Sequence, residues 1–147
     1  MLTVIEKVIF LQNVDVFADV PTEHLAYLAA IADEVEYHAG ETVYKEHGPS
    51  DALYLVLDGS VRLERDGREI TVAGPRQAFG VWALFDEQPR VAGAVAVDNC
   101  HLLRINRDDF VDLLADHVQI TQGVLKALAG RLRGLVDRVA VEGAPRH

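Results

Sequence analysis

The residue types best suited to chemistry lie in one segment, Ala78–Ala96, where small and apolar residues surround a glycine and an arginine. The segment favours a single short helical turn opening at Gly80, and such a turn offers free backbone N–H groups and a positive dipole end to an anion. Arg90 follows ten residues later, before an apolar strand. Because arginine stays charged and binds phosphate oxygens in a bidentate manner, these residues predict an anion site. Pairing of Arg90 with Asp86 or Glu87 is the alternative.

Catalytic chemistry finds little support in the sequence. The two serines, Ser50 and Ser60, lie outside a G-x-S-x-G motif, and the single cysteine, Cys100, has no adjoining basic cluster that would activate a thiolate. We expect Cys100 to be a buried, unreactive thiol. The six histidines show no spacing typical of a metal site. The sequence therefore predicts a protein that is not an enzyme and that needs no metal or cofactor.

The composition is that of one acidic domain. The chain has 147 residues and a mass of 16.2 kDa, and its 14 basic and 23 acidic side chains give a net charge of −9. Such a charge disfavours DNA binding by this chain alone. No apolar run is long enough to span a membrane, no signal-peptide pattern begins the chain, and a single cysteine fits a reducing compartment. We expect one cytoplasmic domain over residues 1–147, without membrane insertion.

Two helices are predicted in the first part of the chain, as a helical lead-in over residues 1–34. Thr3-Val4-Ile5-Glu6 has the form of a capping box at a helix start. Pro21 opens a second helix with an apolar stripe along one face. The members of that stripe are Leu25, Leu28, Ala29, Ala32 and Val35.

Short strands are predicted over residues 35–104. Glycines recur there every six to thirteen residues, and the runs between them are rich in β-branched and alternating residues. Two Asp-Gly pairs, Asp58-Gly59 and Asp66-Gly67, each predict a hairpin. Many short strands at this spacing favour a jelly roll (a double-stranded β-helix), so we expect a mainly β fold with flanking helices.

Helical structure is predicted again over residues 106–142. Asn106 is a suitable N-cap, with Asp109 at the third helical position and an Ile105–Phe110 hydrophobic staple. Beyond it, a heptad pattern predicts a seam that either packs on the β-roll or pairs with a second copy of the chain. The seam runs through Val118, Leu125, Leu128, Leu132, Leu135 and Val139. The last residues are expected to fray.

Several of these features occur together, and in the same order, in one known family. They are the helical lead-in, Ala39–Val43, Gly48–Tyr54, Asp58–Val61, Phe79-Gly80, Pro89-Arg90 and the long closing helix. Over nearly its whole length the chain resembles a cyclic-nucleotide-binding domain of the catabolite activator (Crp/Fnr) superfamily. The resemblance implies a β jelly roll with a phosphate-binding cassette, placed here at residues 78–92, and a long C-terminal helix.

The resemblance also implies roles for individual cassette residues. Arg90 matches the arginine that holds the cyclic phosphate, and Gly80, Ala83 and Ala92 match small or backbone-donating positions. The implied ligand is cyclic AMP, cyclic GMP or a related anionic small molecule. The candidate ligand-binding residues are Gly80, Val81, Trp82, Ala83, Arg90, Val91 and Ala92.

Five positions depart from the family pattern. Val81 stands where a glutamate binds the ribose 2′-hydroxyl, and Val91 replaces a residue that can add a hydroxyl to the phosphate. Arg76 stands where a turn glycine is usual, and Leu135 and Val136 lie where catabolite activators place hydroxyls against the base. A hydrogen bond to a charged carboxylate contributes about 1.5–3 kcal/mol, so loss of the glutamate weakens nucleotide binding by roughly 10- to 150-fold.

Two functions follow as expectations. The first is a non-enzymatic regulatory sensor, in which Arg90 and the start of the cassette helix hold the ligand and the C-terminal helices pass the signal on. The second is a degenerate domain that binds no nucleotide and acts as a dimerisation or interaction module through Val118–Val139. Because the chain ends after the long helix, without the helix-turn-helix of DNA-binding relatives, we expect a parent protein or a partner to supply the output.

Overall fold

The computed structural model describes residues 1–143, with side chains through Val139. Of the segment predicted to fray, 143–147, Gly143 is the last helical residue and 144–147 lie outside the described residues. The helices are α1 (Val4–Leu11), α2 (Thr22–Ala30), α3 (Arg107–Asp116) and α4 (Val118–Gly143), and short 3₁₀ turns lie at Asp15–Phe17 and Val81–Leu84. The strands are β1 (Ala32–Tyr37), β2 (Thr42–Tyr44), β3 (Ala52–Asp58), β4 (Val61–Arg65), β5 (Arg68–Ala73), β6 (Ala78–Phe79), β7 (Gly93–Ala96) and β8 (Cys100–Asn106).

The strands form two antiparallel sheets that pack against each other. The first sheet has the order β1-β8-β3-β6 and the second the order β2-β7-β4-β5. Buried residues of both sheets meet in one cluster between them, which includes Tyr54 and Phe79 from the first sheet and Val61 and Ala94 from the second. This arrangement confirms the predicted mainly β jelly roll with N-terminal helices and a long C-terminal helix.

The start of α1 agrees with the capping-box prediction. Helix α2 ends earlier than the predicted apolar stripe along its face. The Thr3 hydroxyl accepts a hydrogen bond from the Glu6 backbone N–H across 3.2 Å, and the Glu6 carboxylate accepts one from the Thr3 backbone N–H across 3.1 Å. The assignment of Ala32 and Val35 to the second helix is wrong, because both lie in β1. Strand β1 pairs with β8, and this long-range pairing overrides the local helical spacing.

One of the two predicted hairpins is present. Asp66-Gly67 joins β4 to β5, and both residues have positive φ (53° and 77°), as a type I′ turn requires. The hairpin predicted at Asp58-Gly59 is wrong, because β3 and β4 belong to different sheets and the chain turns a corner between them. Gly59 is required at that corner, since a Cβ there would lie 2.5 Å from the carbonyl oxygen of Asn99.

Strand β3 separates two cores, because alternate residues of a strand point to opposite faces of its sheet. Leu53 and Leu55 join a cluster on the helical side, where Phe110 of α3 is fully buried. Tyr54 and Val56 join the cluster between the two sheets. Every second residue of β3 therefore lines the space between the two sheets, into which Arg90 extends.

Helix α3 begins where the sequence predicts it, after Asn106, but the Asn106 side chain makes no capping hydrogen bond. Asn106 thus occupies the N-cap position as predicted, and the Arg107 backbone N–H donates to the Asp51 carbonyl across 2.8 Å. Ile105 and Phe110, the predicted staple, are both fully buried in the helix-side cluster. The start of α3 is therefore fixed by the end of the β2–β3 connection.

Helix α4 packs on the domain with one face and leaves the predicted seam largely uncovered. Ile120, Val124 and Ala127 are buried, and Leu128 is half-buried. The other seam residues are more than half exposed: Val118, Leu125, Leu132, Leu135 and Val139. The seam of this single chain is thus mostly not used for packing on the β-roll. Among the described helices, none is long and apolar enough to cross a membrane.

Candidate ligand-binding site

The cassette contains the short helical turn that the sequence predicts. Gly80 precedes it in the left-handed region, with φ 71°, and the Ala83 backbone N–H donates to the Gly80 carbonyl across 3.1 Å. The turn has four residues, Val81–Leu84, in 3₁₀ geometry. Because the dipole of a helix grows with aligned peptide units, so short a turn attracts an anion weakly, and the charge of the site must come from side chains.

Arg90 supplies that charge from a buried position. Only 5% of its surface is exposed. Its Nη2 donates to the Ala52 carbonyl across 2.7 Å, its Nη1 donates to the Gly80 carbonyl across 3.4 Å, and its guanidinium carbon lies 3.9 Å from the ring centroid of Tyr44. The alternative pairing with Asp86 or Glu87 is not what the structure contains. Arg90 turns inward, towards β3 and β6.

The charge of Arg90 is incompletely compensated. Its Nε is buried and has no hydrogen-bond partner among the described residues. The carboxylate nearest to it in the described chain is that of Asp51, with Oδ1 3.8 Å from Nη2, longer than a hydrogen bond. Burial lowers the pKa of Arg90, because desolvation disfavours its charged form. A buried cation with an unused donor suits a site that receives an anion.

Aromatic rings form the wall of the space that Arg90 enters. The rings of Tyr54 and Phe79 stack at 5.3 Å, and that of Tyr44 lies 5.9 Å from Tyr54 and 6.0 Å from Phe79. Burial raises the pKa of Tyr54 to about 12 and raises the pKa of Tyr44 as well. Both phenols are therefore neutral near pH 7 and add no negative charge beside the guanidinium.

A second arginine, which the sequence analysis did not single out, reaches the same carboxylate. Arg104 Nη2 lies 3.7 Å from Asp51 Oδ2, and its Nε is also buried without a hydrogen-bond partner among the described residues. Arg104 of β8 pairs directly with Tyr54 of β3, and its guanidinium carbon lies 6.0 Å from the ring of Tyr54. The available signal was a charged residue inside the otherwise apolar run Leu102–Ile105.

The structure brings some of the predicted site residues together and leaves others on the surface. Ala83 is buried, and Val81 and Ala92 are half-buried. Trp82 and Val91 are 67% and 69% exposed. The side chains of these two residues therefore lie on the surface, and their contact with a ligand stays a prediction.

A cavity of about 420 Å³ opens beside the cassette, between β4, β5, the first 3₁₀ turn and α4. Val81 lines it from the cassette and Arg131 lines it from α4, whereas Arg90 is not among its lining residues. Arg76 also lines it and has φ 72°, which shows that the position where the family has a turn glycine keeps the left-handed backbone here. Arg131 is a second candidate that sequence reasoning missed.

Cys100 is buried, as predicted. Its Sγ lies 3.0 Å from the Ser60 carbonyl and 3.1 Å from the Asp98 carbonyl, to which the thiol can donate. Burial raises the pKa of this thiol, so that it is protonated near neutral pH. Among the side chains that the structure describes, histidine, cysteine and carboxylate groups form no cluster of three that could hold a metal ion.

Comparison with known proteins identifies one family. A family model described as "Cyclic nucleotide-binding domain" matches residues 34–117. The "CRP-like cAMP-activated global transcriptional regulator" of Mycobacterium tuberculosis is 33% identical over 135 residues, which are 88% of this chain and 60% of the relative. The chain thus spans about 60% of the length of that curated relative.

A solved structure and an enzyme extend the comparison. The N-terminal domain of a transcriptional regulator from Streptomyces coelicolor A3(2) has a TM-score of 0.78 at 36% identity, over 84% of this chain and 91% of that domain. The "Lysophospholipase nte1" of Aspergillus fumigatus is 34% identical over 113 residues, which are 74% of this chain but 7% of the enzyme. Similar domains therefore occur in regulators and also as small parts of enzymes.

Proposed function

The chain belongs to the cyclic nucleotide-binding domain family, and we propose that it is a non-enzymatic regulatory module whose ligand is cyclic AMP or cyclic GMP. The observation that carries the proposal is the buried guanidinium of Arg90 beside Gly80, with an Nε that has no partner among the described residues. The M. tuberculosis relative is a cAMP-activated regulator, which supports cyclic AMP as the first ligand to test.

In this proposal Arg90 binds the cyclic phosphate, and the backbone of the cassette closes around it. The guanidinium exchanges its long contact to Gly80 O and its loose approach to Asp51 for phosphate oxygens. The rest of the nucleotide occupies the neighbouring cavity, where Val81 offers an apolar surface and no acceptor for the ribose hydroxyl. Ribose contributes less here than in relatives that have a glutamate at this position.

The output is proposed to pass through α4. Arg131 of α4 lines the cavity, so a ligand there contacts the helix directly. A shift of α4 changes the presentation of its exposed apolar seam, Val118–Val139, and thus the pairing with a second copy of this chain or with an output domain. The length of the M. tuberculosis relative beyond the matched part agrees with an output domain elsewhere in a larger protein.

A second candidate function is an interaction module that binds no nucleotide. The exposed apolar seam of α4 favours it, because that surface is present without any ligand. The valine at position 81 favours it as well. The uncompensated charge of Arg90 argues against it, since a buried cation without a ligand is costly to keep.

The test is a titration of cyclic AMP and cyclic GMP that follows Trp82 fluorescence and the melting temperature. Trp82 is the single tryptophan and lies on the cassette turn. At a hundredfold excess over Kd a ligand stabilises the folded state by about 2.7 kcal/mol, which raises the melting temperature by several degrees. A saturable response supports the sensor. No response at millimolar concentration overturns it, and a dimer that forms through α4 under those conditions supports the interaction module.

A further inference from the structure

Three charged side chains approach one another beside the cassette. The Asp51 carboxylate lies between Arg90 and Arg104, with Oδ1 3.8 Å from one guanidinium and Oδ2 3.7 Å from the other. Two cations and one anion leave a formal charge of +1. Arg104 is directed towards this cluster because it alternates along β8 with Leu103 and Ile105, which face the helical side.

The two tyrosines beside this cluster do not change its charge. Tyr44 and Tyr54 are neutral near pH 7, because burial raises the pKa of both phenols. At the same end of the sheet, Arg107 Nη2 lies 3.9 Å from Glu87 Oε1, an approach as loose as those of Asp51, and Arg107 Nη1 donates to the Ser50 carbonyl across 2.6 Å. Asp108 and Asp109 line a small cavity with Asp51 and Arg107. The cluster of Arg90, Arg104 and Asp51 by itself has a formal charge of +1.

The carboxylate of Asp51 is a loose partner for both arginines. Its two approaches are longer than hydrogen bonds, and its side chain is 57% exposed. Both arginine Nε atoms stay buried and without a hydrogen-bond partner in the part of the chain that the structure describes. An incoming anion can thus use donors that Asp51 leaves unused, while Arg104 retains Asp51.

We propose that Asp51 and Arg104 set the charge of the anion that the Arg90 site accepts, so that it favours a singly charged phosphodiester over a doubly charged phosphomonoester. A phosphodiester carries one negative charge and neutralises the cluster, whereas a phosphomonoester near pH 7 carries nearly two and leaves an excess. The inference rests on the proposed function and deepens it, because it names the feature that separates cyclic from open-chain nucleotides.

The size of the effect follows from Coulomb's law. One unit of protein charge added ~6 Å from the second phosphate charge changes the dissociation constant of the phosphomonoester by a factor of about 3 to 100. The two limits correspond to effective dielectric constants of about 80 and 20. We expect the ratio of the two dissociation constants, for 5′-AMP and for cyclic AMP, to change by about tenfold per unit charge. Shape differences between the two probes cancel when this ratio is compared across variants.

The experiment measures both dissociation constants for wild type, Asp51→Asn, Arg104→Gln and the double variant. Asp51→Asn raises the cluster charge to about +2 and should lower the 5′-AMP to cyclic AMP ratio about tenfold. Arg104→Gln makes the cluster neutral and should raise the ratio and weaken the binding of both probes. The double variant restores +1 and should return the ratio to the wild-type value. Arg104→Lys keeps the charge and should keep the ratio.

The outcomes separate this inference from the proposed function. If wild type binds cyclic AMP but the ratio stays within twofold in all variants, the charge inference is overturned and the proposed function stands. If the affinity losses of the two single variants simply add in the double variant, specific contacts and not charge determine binding. That result also overturns the inference. If wild type binds neither probe at millimolar concentration, both fall. Circular dichroism and melting curves of each variant show that the ratios are measured on folded protein.

Discussion

The backbone of Gly80 and the guanidinium of Arg90 lie in direct contact. Arg90 Nη1 donates to the Gly80 carbonyl across 3.4 Å, and a Cβ added at Gly80 would lie only 2.6 Å from the same nitrogen. Gly80 also has φ 71°. The position therefore needs glycine for two separate reasons, backbone conformation and space for the arginine.

A comparison of Gly80→Ala with Gly67→Ala separates the effect of backbone conformation from that of the space needed by the arginine. Gly67 has φ 77° but nothing within 4 Å of an added Cβ, so Gly67→Ala measures the backbone term alone, about 1–2 kcal/mol. We expect Gly80→Ala to lose more stability than Gly67→Ala and to lose nucleotide binding as well. Urea unfolding and the Trp82 titration provide the two measurements. Equal losses of stability with unchanged binding would contradict the contact.

Replacement of Arg90 by methionine should abolish the nucleotide response while the domain stays folded. The change keeps most of the side-chain volume and removes a buried charge whose Nε has no partner in the described residues. With two charge-assisted hydrogen bonds of about 1.5–3 kcal/mol each lost, binding should weaken by about 100-fold or more. Arg68→Met, at an exposed position of β5, is the control and should bind like wild type. A full response of Arg90→Met would refute the cassette assignment.

Val81→Glu should strengthen the binding of nucleotides that have a ribose 2′-hydroxyl. Val81 lines the cavity together with Arg76 and Arg131, whose charges can stabilise a new carboxylate there. We expect the affinity for cyclic AMP to rise by roughly 10- to 150-fold, while that for 2′-deoxy-cyclic AMP changes little. Val81→Leu keeps the apolar surface and serves as the matched control. An equal gain for both ligands would show that the effect does not come from the ribose.

Disruption of the α4 seam should dissociate a dimer. Leu132 is 63% exposed at the middle of the seam. Leu132→Lys should raise the dimer dissociation constant about tenfold or more, because it places a charge in an apolar contact. Asp137→Lys, off the seam, introduces the same side chain and should leave the constant nearly unchanged. Analytical ultracentrifugation with and without cyclic AMP gives the measurement, and equal behaviour of both variants would exclude the seam as the interface.

The N-terminal segment should detach in acid. The Leu2 backbone N–H donates to Glu34 Oε2 across 2.9 Å and, with the nearby His101 at 3.0 Å, lowers the pKa of Glu34. A lowered carboxyl pKa stabilises the folded state above the ordinary value of about 4.5, and this stability is lost as the pH falls through the folded-state value. Between pH 5 and pH 3, wild type should thus lose more unfolding free energy than Glu34→Gln. Glu69→Gln, on exposed β5, should follow wild type in urea titrations.

Features that depend on neighbours in sequence could be predicted, and features that depend on distant strands could not. The capping box at Thr3 and the type I′ turn at Asp66-Gly67 are satisfied by residues within four positions. The identical dipeptide Asp58-Gly59 turns a corner instead, because β3 is paired with β8 and the Asn99 carbonyl occupies the space above Gly59. The residues of a turn do not determine which sheet the next strand will join.

The same distinction applies to the candidate site. Gly80 and Arg90 could be identified because they lie in one segment with recognisable composition. Asp51 and Arg104 come together only through the pairing of β3 with β8, and no spacing in the sequence indicates that pairing. Arg90 turns inward as the leading prediction has it, and its burial against Ala52 takes it away from the local carboxylates that were the alternative partners.

Strand β8 has a consequence for how the domain is made. It lies between β1 and β3, and its residues pair with partners about 70 positions earlier, such as Cys100 with Tyr37 and Ile105 with Ala32. On the ribosome the strand that joins β1 to β3 is therefore missing until residue 106 has emerged, and until then the edges of β1 and β3 that pair with it have no partner strand. High contact order of this kind slows folding and lengthens the time in which a nascent chain depends on chaperones.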